Sequence, residues 1–241
     1  MTNYKHLGIY SDWVDEARAF AAKAQQSLFP LAKPGKKTQE QLLQLMGFND
    51  GPEFPADVRV ERRWEEDGIT GEVISWSVGY GPRTEAYLMK PTGAKGPLPA
   101  VLALHDHGGF KWFGKEKIAN GPDGIADPIM EPFFRDYYGN RPWVNALVKK
   151  GFVVLVHDTF LWGSRRFPWE IVSEQTDVDN PKLDCTIEEY NQAASNHEHT
   201  VEKYCNLLGT TMAGIVSHED RIALNYLLSR DEVEPGKVAC M

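Results

Sequence analysis

The chain has 241 residues, 42% of them hydrophobic and 25% charged, with a formal net charge of −8 and an isoelectric point near 5.4. That is enough chain for one large domain or two small ones with a sizeable core, and its acidic balance argues against nucleic-acid backbones and anionic membranes as partners. No apolar run approaches a membrane span, and the first twenty residues lack the basic start and continuous apolar stretch of a signal peptide. The three cysteines, Cys185, Cys205 and Cys240, are odd in number and show no close ligand spacing, so a reduced, cytoplasmic protein is expected.

Residues 1–56 read as a polar, helix-prone extension. Trp13, Ala17, Phe20, Ala21 and Ala24 fall on one helical stripe. Pro30, Pro34 and Gly35 interrupt it, and a short second helix is expected over residues 38–46, with Thr38 and Gln41 at capping-box spacing. From residue 57 the period changes to two. Ile74, Trp76 and Val78 alternate with Ser75 and Ser77, similar segments lie on either side, and Gly79, Gly81 and Pro82 supply a turn, so an antiparallel meander is expected.

After Pro91 the apolar runs become continuous: AVLAL at 100–104, FVVLV at 152–156 and VACM at 238–241. Such runs fit strands covered on both faces, as in parallel sheets. Between them, a helix is expected to begin at Pro142, with Trp143, Val144, Leu147 and Val148 on one face and Gly151 beyond its end. Another is expected to start near Ser217 and Asp220 and run through Arg230, with Ile222, Ala223, Tyr226 and Leu227 inward. This alternation implies right-handed crossovers and an α/β domain over 57–241 with an antiparallel entry.

In open α/β sheets, ligands bind beyond the carboxyl ends of the strands. Two polar segments leave such ends, HDHGGF at 105–110 and HDTFLWGSRR at 157–166. Gly108 and Gly109 allow a sharp turn that presents backbone N–H groups to a developing negative charge, and the same freedom would serve a plain strand-to-loop turn. His105 and His107 could share one face and, with His157, invite a metal reading; hydrogen bonds that shape the loop are the simpler role. Asp158 is expected to form a structural ion pair with Arg165 or Arg166, to cap a helix or to position a loop, with a role as base as the alternative. His197 and His199, two apart on a helix, do not face each other and are expected on a solvated face.

At these residues the sequence resembles a known family. PLPAVLALHDHGG is similar to the third strand and oxyanion loop of dienelactone hydrolase-like and acetyl xylan esterase-like α/β-hydrolases. GFVVLVHDTFLWGSRR resembles their next strand, and residues 207–241 resemble the helix and strand that lead to the nucleophile. The resemblance covers about residues 84–241. It implies an α/β-hydrolase-type, mostly parallel sheet in which the 100–104 strand lies between the other two. It also implies a serine-dependent carboxylic ester hydrolase without cofactor or metal, acting on a small-molecule or carbohydrate ester, with a homo-oligomer left open. By that resemblance His107, Gly108 and Gly109 form the oxyanion loop, and His105, Phe110, Asp158 and Trp162 line the substrate.

In the family the last strand runs into Gly-x-Ser-x-Gly, followed by an acid and a histidine. Residues 1–241 contain no such motif, and Ser164, which follows Gly163, lacks the second glycine. The chain is therefore expected to stop just before its nucleophile, leaving an unpaired central strand edge and an incomplete site. Two other readings stay open: a metal-dependent hydrolase built on His105, His107 and His157, and a non-catalytic pseudo-hydrolase fragment.

Overall fold

A computed structural model of the protein describes residues 8–25, 34–47, 51–124, 127–173 and 185–241. The chain divides into two units, residues 1–45 and 46–241. The first holds α1 (Ser11–Gln25) and most of α2 (Lys36–Met46). Both expected helices are present, and Pro30 lies outside the described residues. The cap is not where the sequence suggested: the Gln39 N–H donates to Gly35 O at 3.1 Å, so the first turn closes upstream and Thr38 is already inside the helix.

The second unit is built on one sheet. Its strands are β1 (Ala56–Glu66), β2 (Ile69–Ser77), β3 (Thr84–Pro91), β4 (Leu98–Ala103), β5 (Val153–His157) and β6 (Val233–Cys240), in the order β1-β2-β3-β5-β4-β6. The meander β1-β2-β3 is antiparallel and joins β5 antiparallel. β4 then pairs parallel with β5 on one side and with β6 on the other, so the 100–104 strand does lie between the other two. β1 is an edge strand, exposed along almost its whole length and rich in Arg and Glu, side chains that discourage further strand pairing.

β4 and β5 read as unbroken apolar runs because both their faces are covered. Ala100, Leu102, Val153 and Leu155 pack with Ile74, Trp76 and the inward side of α7 (Met212–Leu228), where Ile222, Ala223, Tyr226 and Leu227 are all buried. Val101, Ala103, Val154 and Val156 face the other way, onto Val144 and Val148 of α4 (Trp143–Val148). Each fully buried Val or Leu of this kind contributes about 1.5–3 kcal/mol.

Three boundaries differ from the sequence reading. α7 begins before Ser217, because Thr211 caps it: its hydroxyl accepts the Gly214 N–H at 2.9 Å. Pro142 immediately precedes α4 as its cap, outside the first turn. β6 begins at Val233 and bulges over residues 234–237, between the pairs Leu98↔Val233 and Ala100↔Val238.

Candidate active site

Because β4 and β5 are parallel neighbours, the loops that follow them open on the same edge of the sheet. The two loops are knit together. Trp162, buried in the second, donates its indole N–H to His107 O at 3.2 Å, and its ring lies 5.0 Å edge-on from the His107 imidazole. The Gly163 N–H donates to Lys111 O at 3.1 Å.

The first loop turns at Gly108 and Gly109, with φ of 55° and 65°. Gly108 has a second constraint, since a Cβ there would collide with the Asp106 carboxylate and press on Phe133, whereas Gly109 has open space. The Gly109 N–H donates to His107 Nδ1 at 3.1 Å. His107 Nδ1 is therefore the bare nitrogen, and Nε2–H donates to Glu198 on α6 (Ile187–Leu207) at 3.0 Å. Gly108 is exposed, and its N–H has no acceptor among the described residues. Phe110 is half-buried and stacks on Phe113, with ring centroids 5.8 Å apart.

Beneath this loop lie three buried lysines, Lys111, Lys115 and Lys117, whose burial no local sequence pattern predicts. Lys111 pairs with Glu198 and sits 3.9 Å from the centroid of the Trp162 ring, a cation–π contact strengthened by exclusion of water. Burial pushes the Glu198 carboxyl up, but Lys111 and His107 outweigh it and hold the group below its ordinary range. Lys117, fully buried, donates to Asp106 O and to His107 O, the latter at 3.3 Å. Burial pulls its amine down to about 8, against the opposing pull of Asp106 and Asp158.

Lys115 is the partner of Asp158; neither Arg165 nor Arg166, the partners expected from sequence, pairs with that carboxylate. Asp158 is fully buried and accepts the Lys115 N–H at 2.7 Å, the Ser164 N–H at 2.8 Å and Lys115 Nζ at 3.0 Å. Burial raises this carboxyl, but the Lys115 charge and the two N–H donors win and hold it low. Gly114 and Gly163 pass so close that a Cβ on either would strike the carboxylate. Asp158 thus bolts the two loops together and has no surface open to a ligand. Arg165 turns instead to Glu219 on α7, and Arg166 lies 4.4 Å over the Trp112 ring.

The histidines separate. His105 Nδ1 donates to Asp106 O at 3.1 Å, while its Nε2 is enclosed without a hydrogen-bond partner. Burial first and the Lys117 charge second lower its pKa to about 3, so the ring is neutral. His157 packs on the α7 side of the sheet, 6.2 Å from Trp76, with Nε2 3.1 Å from Asp220 Oδ1. His107 faces Glu198, so His105, His107 and His157 do not converge. Among the described residues no group of three or more His, Cys, Asp or Glu is arranged to hold a metal ion. His199 is exposed as expected, but His197 is buried edge-on against Phe167 at 4.8 Å, because α6 turns that face toward the loop after β5.

The sequence reading missed Lys111, Lys115, Lys117 and Glu198. The stretch KWFGKEK looks like a solvated charged loop, and the single hint to the contrary is the aromatic pair between the first two lysines. No helix among the described residues is long and apolar enough to cross a membrane.

No family model matches the chain. It is 27% identical over 201 residues to the "Putative hydrolase YtaP" of Bacillus subtilis (strain 168), covering 83% of this chain and 53% of that protein. Among solved structures, a protein described as a putative acetyl xylan esterase from Bacteroides fragilis NCTC 9343 superposes with a TM-score of 0.57 at 18% identity, covering 85% of this chain and 46% of that one. Acetyl Xylan Esterase 1 from Thermoanaerobacterium sp. JW/SL YS485 gives a TM-score of 0.46 at 13% identity, over 88% and 56%. The chain spans about half the length of these proteins. The sheet and its covering helices share the mixed α/β fold of that Bacteroides fragilis protein.

Proposed function

We propose that these residues belong to a serine-dependent carboxylic ester hydrolase and supply the oxyanion-loop half of its site. The observation that carries the reading is the exposed Gly108–Gly109 turn at the carboxyl end of β4, with an unengaged Gly108 N–H beside a wall built from the β5 loop. The end of β6 lies alongside. The Met241 N–H donates to Leu102 O at 3.1 Å and its carbonyl accepts the Leu104 N–H at 2.8 Å, so β6 reaches the sheet edge next to His105.

In this proposal the nucleophilic serine stands on a strand-to-helix turn directly after β6, in sequence outside residues 1–241. A histidine takes its proton and an acid orients that histidine. The serine attacks the ester carbonyl; the carbonyl oxygen takes the negative charge and accepts the Gly108 N–H. A second donor comes from the residue after the nucleophile. The substrate is an ester of a small acid on a carbohydrate, the bond named in the description of the Bacteroides fragilis neighbour. In this proposal His107 and Phe110 edge the cleft, and Trp162, His105 and Asp158 hold it from behind.

The test is expression of the gene product through all its downstream coding sequence, followed by fluorophosphonate labelling and hydrolysis of p-nitrophenyl acetate. One labelled serine beyond residue 241, with matching loss of turnover, is expected. Hydrolysis that ignores the probe and stops with chelator would favour metal chemistry instead.

A further inference from the structure

We propose that Lys117 and Trp162 are positioning residues for the oxyanion donor: by gripping His107 O they fix the His107–Gly108 peptide so that its N–H faces the cleft. The inference rests on the ester-hydrolase reading and deepens it.

In a planar trans peptide the N–H points opposite to the C=O it is bonded through. His107 O accepts Trp162 Nε1 at 3.2 Å, Lys117 Nζ at 3.3 Å and, more weakly, the Phe110 N–H at 3.4 Å. Both side-chain donors are buried, Lys117 completely and Trp162 to 5% exposure. The carbonyl therefore points into the protein, and the Gly108 N–H points outward.

This orientation needs holding. A flip of this peptide turns φ of Gly108, and a glycine tolerates both values, so the loop's own backbone does little to choose between the two orientations. A flip would turn His107 O to solvent, take the acceptor from a buried ammonium and an indole N–H, and aim the Gly108 N–H at them. A buried ammonium and a buried indole N–H that each lose an acceptor disfavour the flip. Lys117 also donates to Asp106 O, so it secures two successive carbonyls of the loop. The Gly109 N–H is spent on His107 Nδ1, which leaves Gly108 as the donor that this grip presents.

The experiment uses the full-length gene product with Lys117→Met and Trp162→Phe. Methionine keeps an unbranched stem in the space without a donor, and phenylalanine keeps a ring without the indole N–H. Circular dichroism and thermal melting establish that at least one variant is folded, and fluorophosphonate labelling of the wild type tests the serine reading separately. Expected is a fall in kcat of at least tenfold, toward the roughly 10²–10³ that a lost oxyanion donor costs, with KM changed less than threefold. The double variant should lose little more than the worse single one, because both act on one peptide. A folded variant with unchanged kcat, in a wild type that labels and turns over, overturns the positioning role and leaves the hydrolase reading standing. An equal rise in KM with constant kcat also overturns it. A wild type that neither labels nor turns over removes both.

Discussion

Arg165 and Glu219 meet as a two-pronged ion pair inside the protein, Nη2 2.6 Å from Oε1 and Nε 3.4 Å from Oε2, with both side chains 1% exposed. Tyr80 donates to the same carboxylate at 2.9 Å, and Arg165 Nη1 donates to Tyr80 O at 3.0 Å and to Pro82 O. The pair therefore ties the β2–β3 turn, the loop after β5 and α7 into one piece.

Removing either partner strands a buried charge. Arg165→Met or Glu219→Gln alone should destabilise by about 3–5 kcal/mol, the usual cost of breaking a buried pair. The double variant should lose much less than the sum, because no charge is left unpaired. Urea unfolding of the four proteins checks this, and strictly additive losses would show that the two side chains act independently.

His105 sets a pH dependence. Its pKa in the folded protein is about 3, against an ordinary 6.5, with Lys117, Asp158 and His157 as the charged or titratable groups that bear on it. The unfolded chain then binds more protons at this residue between those values. The contribution of His105 to stability is complete above pH 6.5 and is lost progressively as pH falls toward 3. His105→Asn, which keeps a donor for Asp106 O, should flatten the fall in unfolding free energy across that window relative to wild type. Parallel curves for the two proteins would mean that His105 is not buried neutral.

The glycines should separate by the space around them. Gly109 has room for a Cβ, so Gly109→Ala should cost only the backbone term of about 1–2 kcal/mol for a left-handed residue. Gly163 also has φ of 55°, but its Cβ would strike the buried Asp158 carboxylate, so Gly163→Ala should cost clearly more. In the full-length protein Gly108→Val should lower turnover most, since it crowds Asp106 and Phe133 and moves the proposed donor. Melting temperatures and kcat of the three variants check the order.

What could be read ahead of the structure was what local pattern dictates. The unbroken runs in β4 and β5 announced strands covered on both faces, and the stripe Ile222, Ala223, Tyr226 and Leu227 announced the inward side of α7. The polar tails of β4 and β5 leave the sheet at one edge, as their parallel pairing requires. The partners inside that edge were not legible, because they depend on distant chain. Lys115 is buried because Asp158 is there, and Lys111 because Glu198 is. Arg165 looked available to Asp158 in sequence but is claimed by Glu219. The start of α7 is set by Thr211 and not by Ser217, because the Thr211 hydroxyl is the one that reaches a first-turn N–H.

Residues 1–241 on their own should not react with a fluorophosphonate, although they contain serines near the proposed cleft. Ser164 is the best placed, on a short turn after β5. Its hydroxyl oxygen accepts the Glu85 N–H at 2.8 Å, and its own N–H is held by Asp158. A nucleophile must offer its Oγ to substrate and its proton to a base, and Ser164 instead serves as a clasp between the β5 loop and β3. Ser195 lies within α6 and Ser217 within α7, with no strand running into either, so neither sits on the strand–turn–helix that lifts a hydroxyl clear of a sheet. Mass spectrometry of probe-treated 1–241 and of the full-length protein decides the matter. Labelling at Ser164 in the short form would move the active site to the β3–β5 side of the cleft and displace the Gly108 donor from the mechanism. Labelling confined to the longer form, at a serine following β6, would leave Gly108 facing the carbonyl that serine attacks.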